Sequence, residues 1–483
     1  MTKKNGKNGH KRHSPAKTAL GYDAATSSTR RRQIASTITT EDRVLRAAQR
    51  KQLTASAHDI RRNFSIAAWM IRKHLDYVAT FTFHSRSGDQ PLDRDLESLM
   101  TAWQRPTNCD VAGRHPFGRW LRILEACRTV DGDVLAVLLD SGYVQAIESY
   151  RVKDPPRDQR RRRERWVQGV RTTRAGRATG YAVHSDTDGT GLLTFERIVP
   201  ARNVVMHGFY DRFDQVRGIS PIVTALNPLR DVYENFEYAL AKAKVSQLFA
   251  LAIYSNLDDA TGESITRTVK DDATNTETAG DRYEVDFGAG PVKLELLAGD
   301  KAEFLESRSP STEFQQYTEL CTWVALKALD IPASFYDEAH TNFFGSRAAW
   351  LHYERSCRAK RADVAEVLRR ITVWKIQQWI RDGLFTLPSR STIGDLAWDW
   401  IPAGMPWWDP AKEIRGDLAA ISAGLDTPQR IVRERGRGTF EENIDQIAAA
   451  QEYARARGVT LSFDPAALAD ANSGTDPQNE DNP

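Results

Sequence analysis

Cysteine is scarce: Cys109, Cys127, Cys321 and Cys357 are the only four in 483 residues, and no two form a CxxC pair. That spacing argues against a zinc knuckle or a disulfide framework and fits a reducing compartment. Long apolar runs are missing as well. None approaches the roughly 20 residues a membrane-spanning helix needs, and the N-terminus has no apolar segment of the kind a secretory signal carries. We therefore expect no membrane association and no ordinary export signal. Catalytic signatures are also missing. There is no GxxxxGK[ST] loop, no GxGxxG opening a helix, no HExxH and no GxSxG elbow. Ser14-Pro15-Ala16-Lys17 matches SxxK but lies in a basic stretch without apolar support, and the ten histidines are scattered without ligand spacing. The carboxylates of Asp131-Gly132-Asp133 could be read as a pair, but ahead of an apolar run they read as a turn. The expectation is a chain without cofactor, metal or enzymatic activity.

What is present is a nearly balanced but segregated charge. Lys+Arg number 67 against Asp+Glu 64, for a net charge of +3. Yet the first twenty residues hold Lys3, Lys4, Lys7, Lys11, Arg12 and Lys17 and no acid, while the last twenty hold Asp464, Asp470, Asp476, Glu480 and Asp481 and no base. Such tails lack the apolar surface to offset chain entropy and are expected to be disordered. The basic arm suggests an anionic partner or simply a solubilising tail. Residues 157–165, RDQRRRRER, read as a solvated loop or, alternatively, as a phosphate-binding patch. With 41% hydrophobic residues the chain can support about two to four units, because single cores rarely grow past about 250–300 residues.

Periodicity gives an α+β class. Residues 41–83 look helical, with Val44, Leu45, Leu53, Ile60, Phe64, Trp69, Ile71 and Leu75 among polar positions. A helix over 119–128 leads through the Asp-Gly-Asp turn into an apolar strand at 134–139, and 166–208 read as strands with Gly-rich turns. Asn227-Pro228 signals a helix reaching about Ala250. Residues 255–282 are polar, 283–305 look like a hairpin with Gly-Pro at its bend, and a second helix spans 312–329 before Ile331-Pro332. A long helix is expected over 346–382. Its stripe of Trp350, Tyr353, Cys357, Val364, Leu368, Ile371 and Trp374 reads as core. Another surface carries Arg347, Arg355, Arg358, Lys360, Arg361, Arg369, Arg370 and Lys375 against few acids, which points modestly to an anionic partner. Three short capped helices follow at 410–423, from Thr427-Pro428 to Gly436, and from the Thr439/Glu442 capping box to Gly458.

Several stretches, in order, resemble the lambda-like family of portal proteins of tailed bacteriophages. Trp103, Cys109-Asp110-Val111-Ala112-Gly113 and Val130-Asp131-Gly132-Asp133-Val134 follow one run of that family. Pro200-Ala201 through His207, followed by Gln215-Val216-Arg217-Gly218-Ile219-Ser220, follow another. Thr341-Asn342-Phe343-Phe344-Gly345-Ser346-Arg347-Ala348-Ala349 is similar to the family's TNFSSARAA, with Phe344-Gly345 departing from it. Asp409-Pro410-Ala411-Lys412-Glu413, Gly424-Leu425 and Arg435-Gly436 match its C-terminal run. The resemblance covers about residues 20–462.

It implies a ring, typically of twelve subunits, at one capsid vertex of a virion assembled in the bacterial cytoplasm. Double-stranded DNA would pass through it without sequence preference. The implied partners are further copies of the chain, the terminase large subunit, a head–tail adaptor, and major capsid or scaffold protein. The implied layout is a basic arm (1–40), a wing (41–220), a stem helix (221–252), a clip (253–308) and a second stem helix (309–331). A tunnel loop (332–345), the long helix with the wing remainder (346–400), a helical crown (401–460) and an acidic tail (461–483) complete it. Channel residues would be Asn342, Phe343, Phe344, Gly345, Ser346 and Arg347, while Arg355, Arg358, Lys360 and Arg361 would face DNA or a neighbouring subunit. Two other classes stay open. A DNA-processing enzyme would need metal-binding carboxylates, for which Asp258-Asp259 and Asp271-Asp272 are the adjacent pairs available near the middle. Another head or minor capsid protein would form no ring with an axial hole.

Overall fold

A computed structural model describes residues 38–186, 189–248, 312–337, 343–404 and 410–461, with four strands between 251 and 304 and residues 243, 245–248, 343 and 344 placed by their backbone alone. Helix and sheet are mixed. A three-stranded antiparallel sheet has Asp133–Leu138 at its centre, between Val144–Glu148 and Val204–Gly208. Every residue of the central strand is buried. Its alternation sends Val134, Ala136 and Leu138 into one hydrophobic cluster and Leu135 and Val137 into another. Burial on both faces is why the strand reads in the sequence as one continuous apolar run.

The larger cluster joins the helices Ala47–Asn63, Ser65–Val78, Gln90–Trp103 and Phe117–Asp131 to the long helix Phe343–Arg381. Tyr353, Cys357, Val364, Leu368 and Ile371 of the expected stripe are buried there, with Trp350 and Trp374 packed at its edge. The smaller cluster lies between the three-stranded sheet and a meander of Arg165–Val167, Val170–Thr172, Ala178–Ser185 and Thr194–Pro200.

Several boundaries depart from the sequence reading. Residues 79–83 do not continue a helix: the chain leaves it at Val78, and Phe81–Ser85 pairs antiparallel with Trp398–Pro402. Phe81, Thr82 and Phe83 are good strand formers, but their partner, Trp398–Pro402, comes far along the chain, beyond any local pattern. The helix expected to start at Asn227-Pro228 is Leu226–Leu248, and a 3₁₀ turn, Pro221–Ala225, leads straight into it. The N-cap is Ser220, whose hydroxyl accepts from the Ile222 N–H, with Pro221 at the first position. The Ser-Pro pair about two turns upstream thus takes the role assigned to Asn-Pro. Of the expected 283–305 hairpin, Asp300–Phe304 is described, and it pairs with Leu251–Ser255; the Gly-Pro bend lies outside the described residues, as do 1–37 and 462–483.

The C-terminal helices run Pro410–Ser422, Pro428–Glu434 and Phe440–Arg455. The Thr427 and Thr439 hydroxyls accept from the N–H groups of Arg430 and Glu442, and Gly424, Gly436 and Gly458 follow the helices with positive φ. These three match the sequence reading closely.

Candidate functional site

The motif residues converge. Arg217 is fully buried, and its guanidinium grips Asp133 through Nε to Oδ2 at 2.7 Å and NH2 to Oδ1 at 2.8 Å. It also donates to the Ser149 carbonyl at 3.1 Å and to the Val152 carbonyl at 3.0 Å. The Gly218 N–H donates to Asp133 Oδ2 at 2.8 Å, and a Cβ on Gly218 would collide with the Gly132 carbonyl. Ser220 Oγ donates to the Thr129 carbonyl at 2.6 Å. Burial would raise the Asp133 carboxyl, but Arg217 outweighs it and holds that carboxyl below its usual range. Asp131 meets His58 at 2.7 Å. Asp110 accepts from the backbone N–H groups of Ala112, Arg114 and His115. The Asp-Gly-Asp segment is therefore a turn with buried carboxylates, Asp133 paired with Arg217 and Asp131 hydrogen-bonded to His58, and these motifs hold the fold together.

A second buried cluster ties the long helix to this frame. Glu125 accepts from His74 at 2.9 Å and His207 at 2.7 Å, and Arg128 lies beside it at 3.3 Å. Arg128 also donates to Asp363 of the long helix and stacks 3.8 Å over the Phe209 ring. Burial would raise the Glu125 carboxyl; Arg128, with the hydrogen bonds from His207 and His74, holds it well below the usual carboxylate range instead. Burial pushes both histidines down against the pull of Glu125. The carboxylate already has a cation in Arg128, and among the described residues no three His, Cys, Asp or Glu side chains converge as metal ligands. Cys109 and Cys127 are pushed up to about 11 and about 12 by burial, which keeps both thiols protonated and unreactive. Nothing in the spacing of His74, Glu125, Arg128 and His207 announced this cluster. Arg217 stood in a quoted motif, but its partner did not show in the sequence.

The expected channel residues divide. Asn342 lies outside the described residues. Phe343, Phe344 and Gly345 form the first turn of the long helix, which begins three residues earlier than its periodicity indicated. Ser346 is buried and Arg347 half-buried. Just upstream, the Ala333–Phe335 turn is packed: the Phe335 ring meets Tyr77, Trp350 and Tyr353 at centroid distances of 5.9, 5.3 and 5.2 Å. Residues 338–342 lie outside the description.

Much of the long helix's positive charge is turned to structural use. Arg361 is buried and donates to the Tyr77 carbonyl at 2.6 Å. Lys360 bridges Asp330 at 2.8 Å and the Leu329 carbonyl at 2.7 Å. Lys375 is buried, donates to the Gly142 carbonyl at 3.2 Å and has the Trp103, Trp374 and Trp379 rings within 5.7 Å. Arg358 is exposed and pairs with Glu354 at 3.3 Å, and Arg355 is exposed.

The helices Leu226–Leu248 and Thr312–Leu326 pack against each other and, among the described residues, carry one of the groups of exposed large apolar side chains. Leu229 and Val232 are core, but the same helix then exposes Phe236, Tyr238 (71%) and Leu240 (57%), and its partner exposes Tyr317, Leu320 and Val324.

Comparison with known proteins matches this chain, over residues 28–361, to a family model described as phage portal protein, lambda family. A probable portal protein of Halomonas phage phiHAP-1 is 23% identical over 424 residues, covering 81% of this chain and 77% of that one. Among solved structures, the virion of a native gene transfer agent particle overlaps at a TM-score of 0.42 with 14% identity, over 78% of this chain and 92% of that one. The neck of an empty gene transfer agent particle overlaps at 0.43 with 13% identity and the same coverage. Superpositions that loose carry no argument. The family match spans well over half of the chain and takes in both converging motif runs, and the chain belongs to the lambda family of phage portal proteins.

Proposed function

We propose that the chain is the subunit of a closed portal ring at one vertex of a tailed phage head, through which double-stranded DNA is packaged and ejected. The observation that carries this reading is the set of large apolar side chains exposed on the helix pair Leu226–Leu248 and Thr312–Leu326. Exposed large apolar side chains gathered on one helix pair mark an interface. A head-to-tail contact between identical subunits closes into a ring when the rotation allows it. On this reading the pair is the stem, the strands between 251 and 304 belong to the clip, and the start of the long helix at Phe343 lies near the axis. The helices between 410 and 455 form the crown. The clip side would dock the terminase large subunit and later the head–tail adaptor, and the wing would meet major capsid or scaffold protein.

A conduit needs loose attraction to DNA without base readout. The inward use of Arg361, Lys360 and Lys375 supports a channel that is not lined by the whole charge of the long helix. Native mass spectrometry and negative-stain microscopy of the purified full chain test the reading. A ring near twelve subunits with an axial hole is expected. A stable monomer at micromolar concentration and physiological salt would overturn it in favour of another head component.

A further inference from the structure

Residues 151–180 hold ten arginines and Lys153 against Asp154, Asp158 and Glu164, a net charge of +8 (11 − 3) in thirty residues where the whole chain carries +3. They form the first part of the meander, from the Arg157–Gln159 turn through Arg165–Val167, Val170–Thr172 and the start of Ala178–Ser185. Arg157, Arg160, Arg161, Arg162, Arg163 and Arg165 are all exposed.

The acid in the middle of the run does not neutralise them. Glu164 has only 16% of its side chain exposed and is held by Arg171 at 2.9 Å, the Trp166 indole N–H at 3.2 Å and the Arg161 backbone N–H at 3.2 Å. Arg160 is fixed by the Pro155 carbonyl at 2.7 Å and Asp154 at 3.5 Å. These contacts shape the loop and leave Arg161, Arg162 and Arg163 pointing their charge at solvent.

We infer that this loop is a second binding surface for double-stranded DNA, on the meander and not on the long helix to which the channel residues were assigned, that grips phosphates without reading bases. Two features favour a phosphate backbone over an acidic protein. The surface is almost wholly arginine, whose planar fork matches phosphate oxygens two at a time. Between Arg157 and Arg165 no apolar or aromatic residue occurs that could anchor a folded partner. The inference does not require a ring, since the loop is exposed on the single subunit.

Binding of a fluorescein-labelled 30-base-pair duplex to the full chain, followed by anisotropy between 50 and 200 mM salt, tests it. The comparison is the triple variant Arg161→Ser, Arg162→Ser, Arg163→Ser, whose side chains make no internal contact and whose circular dichroism should match the parent. Losing three phosphate contacts should lower the slope of log affinity against log salt by about 3 and weaken binding about tenfold or more at 50 mM. Hydrogen exchange on the unaltered protein should slow across 157–165 when duplex is added. Unchanged affinity and slope in the variant would overturn the inference, and so would an absence of protection at 157–165. Tighter binding of polyglutamate than of duplex would also overturn it, in favour of an acidic protein.

Discussion

Single residues carry much of this fold's specification, and Arg217 is the sharpest case. Its pair with Asp133 is buried on both sides. Replacing it with Met should cost about 3–5 kcal/mol, because a carboxylate would be left buried without its cation. Pairing that change with Asp133→Leu should recover part of the loss. Chemical denaturation of the three proteins checks this; a double variant no more stable than Arg217→Met would show that something other than the stranded charge sets the cost. Arg369, exposed and paired with exposed Glu366, serves as the contrast and should matter by less than about 1 kcal/mol. The buried histidines give a second residue-level expectation. His74 and His207 sit below their ordinary range, so near pH 6.5 the unfolded chain takes up protons that the folded chain refuses. Stability should be full above that range and fall as pH drops through it, by up to about 1.4 kcal/mol per pH unit for each histidine. Glu125 adds its own loss only at more acidic pH, where the unfolded carboxyl protonates first. In unfolding titrations from pH 7.5 to 5.5, His207→Gln should flatten the slope. A flat profile in the parent would mean that neither histidine is held neutral.

Elements show which parts of the fold are local. The three C-terminal helices were legible because Thr427, Thr439, Gly424 and Gly458 cap them within a turn of their ends. The central strand Asp133–Leu138 was legible because burial on both faces writes an unbroken apolar run. The pairing of Phe81–Ser85 with Trp398–Pro402 was not, and neither was the cluster around Glu125, because contacts between distant segments leave no period to read. The start of the long helix was obscured for another reason. Gly345 is a poor helix former, so local preference favours a loop, while the backbone from Phe343 is helical. Gly345→Ala should therefore stabilise that first turn by up to about 1 kcal/mol and slow hydrogen exchange over 345–350. Faster exchange there, or lost stability, would indicate a loop conformation that only glycine tolerates.

At the scale of the whole molecule, the balance between core and uncovered surface decides the assembly. The subunit has a continuous core from Ala57 to Leu396, yet leaves Tyr238, Leu240, Tyr317, Leu320 and Val324 exposed on two packed helices, with Phe236 covered in part by the Phe314 ring. Each large apolar side chain left exposed forgoes about 1.5–3 kcal/mol of burial. A neighbouring copy covering this face would recover that at every interface around the ring. Charge placed there should then damage assembly without damaging the subunit, since these side chains contribute little to its own core. Leu240→Glu combined with Leu320→Glu should leave circular dichroism and the unfolding midpoint of the subunit nearly unchanged. In native mass spectrometry the same variant should shift from rings to monomers and small oligomers. Rings of unaltered size and stability would mean that the subunit contact lies on another face and that this helix pair is covered by something else.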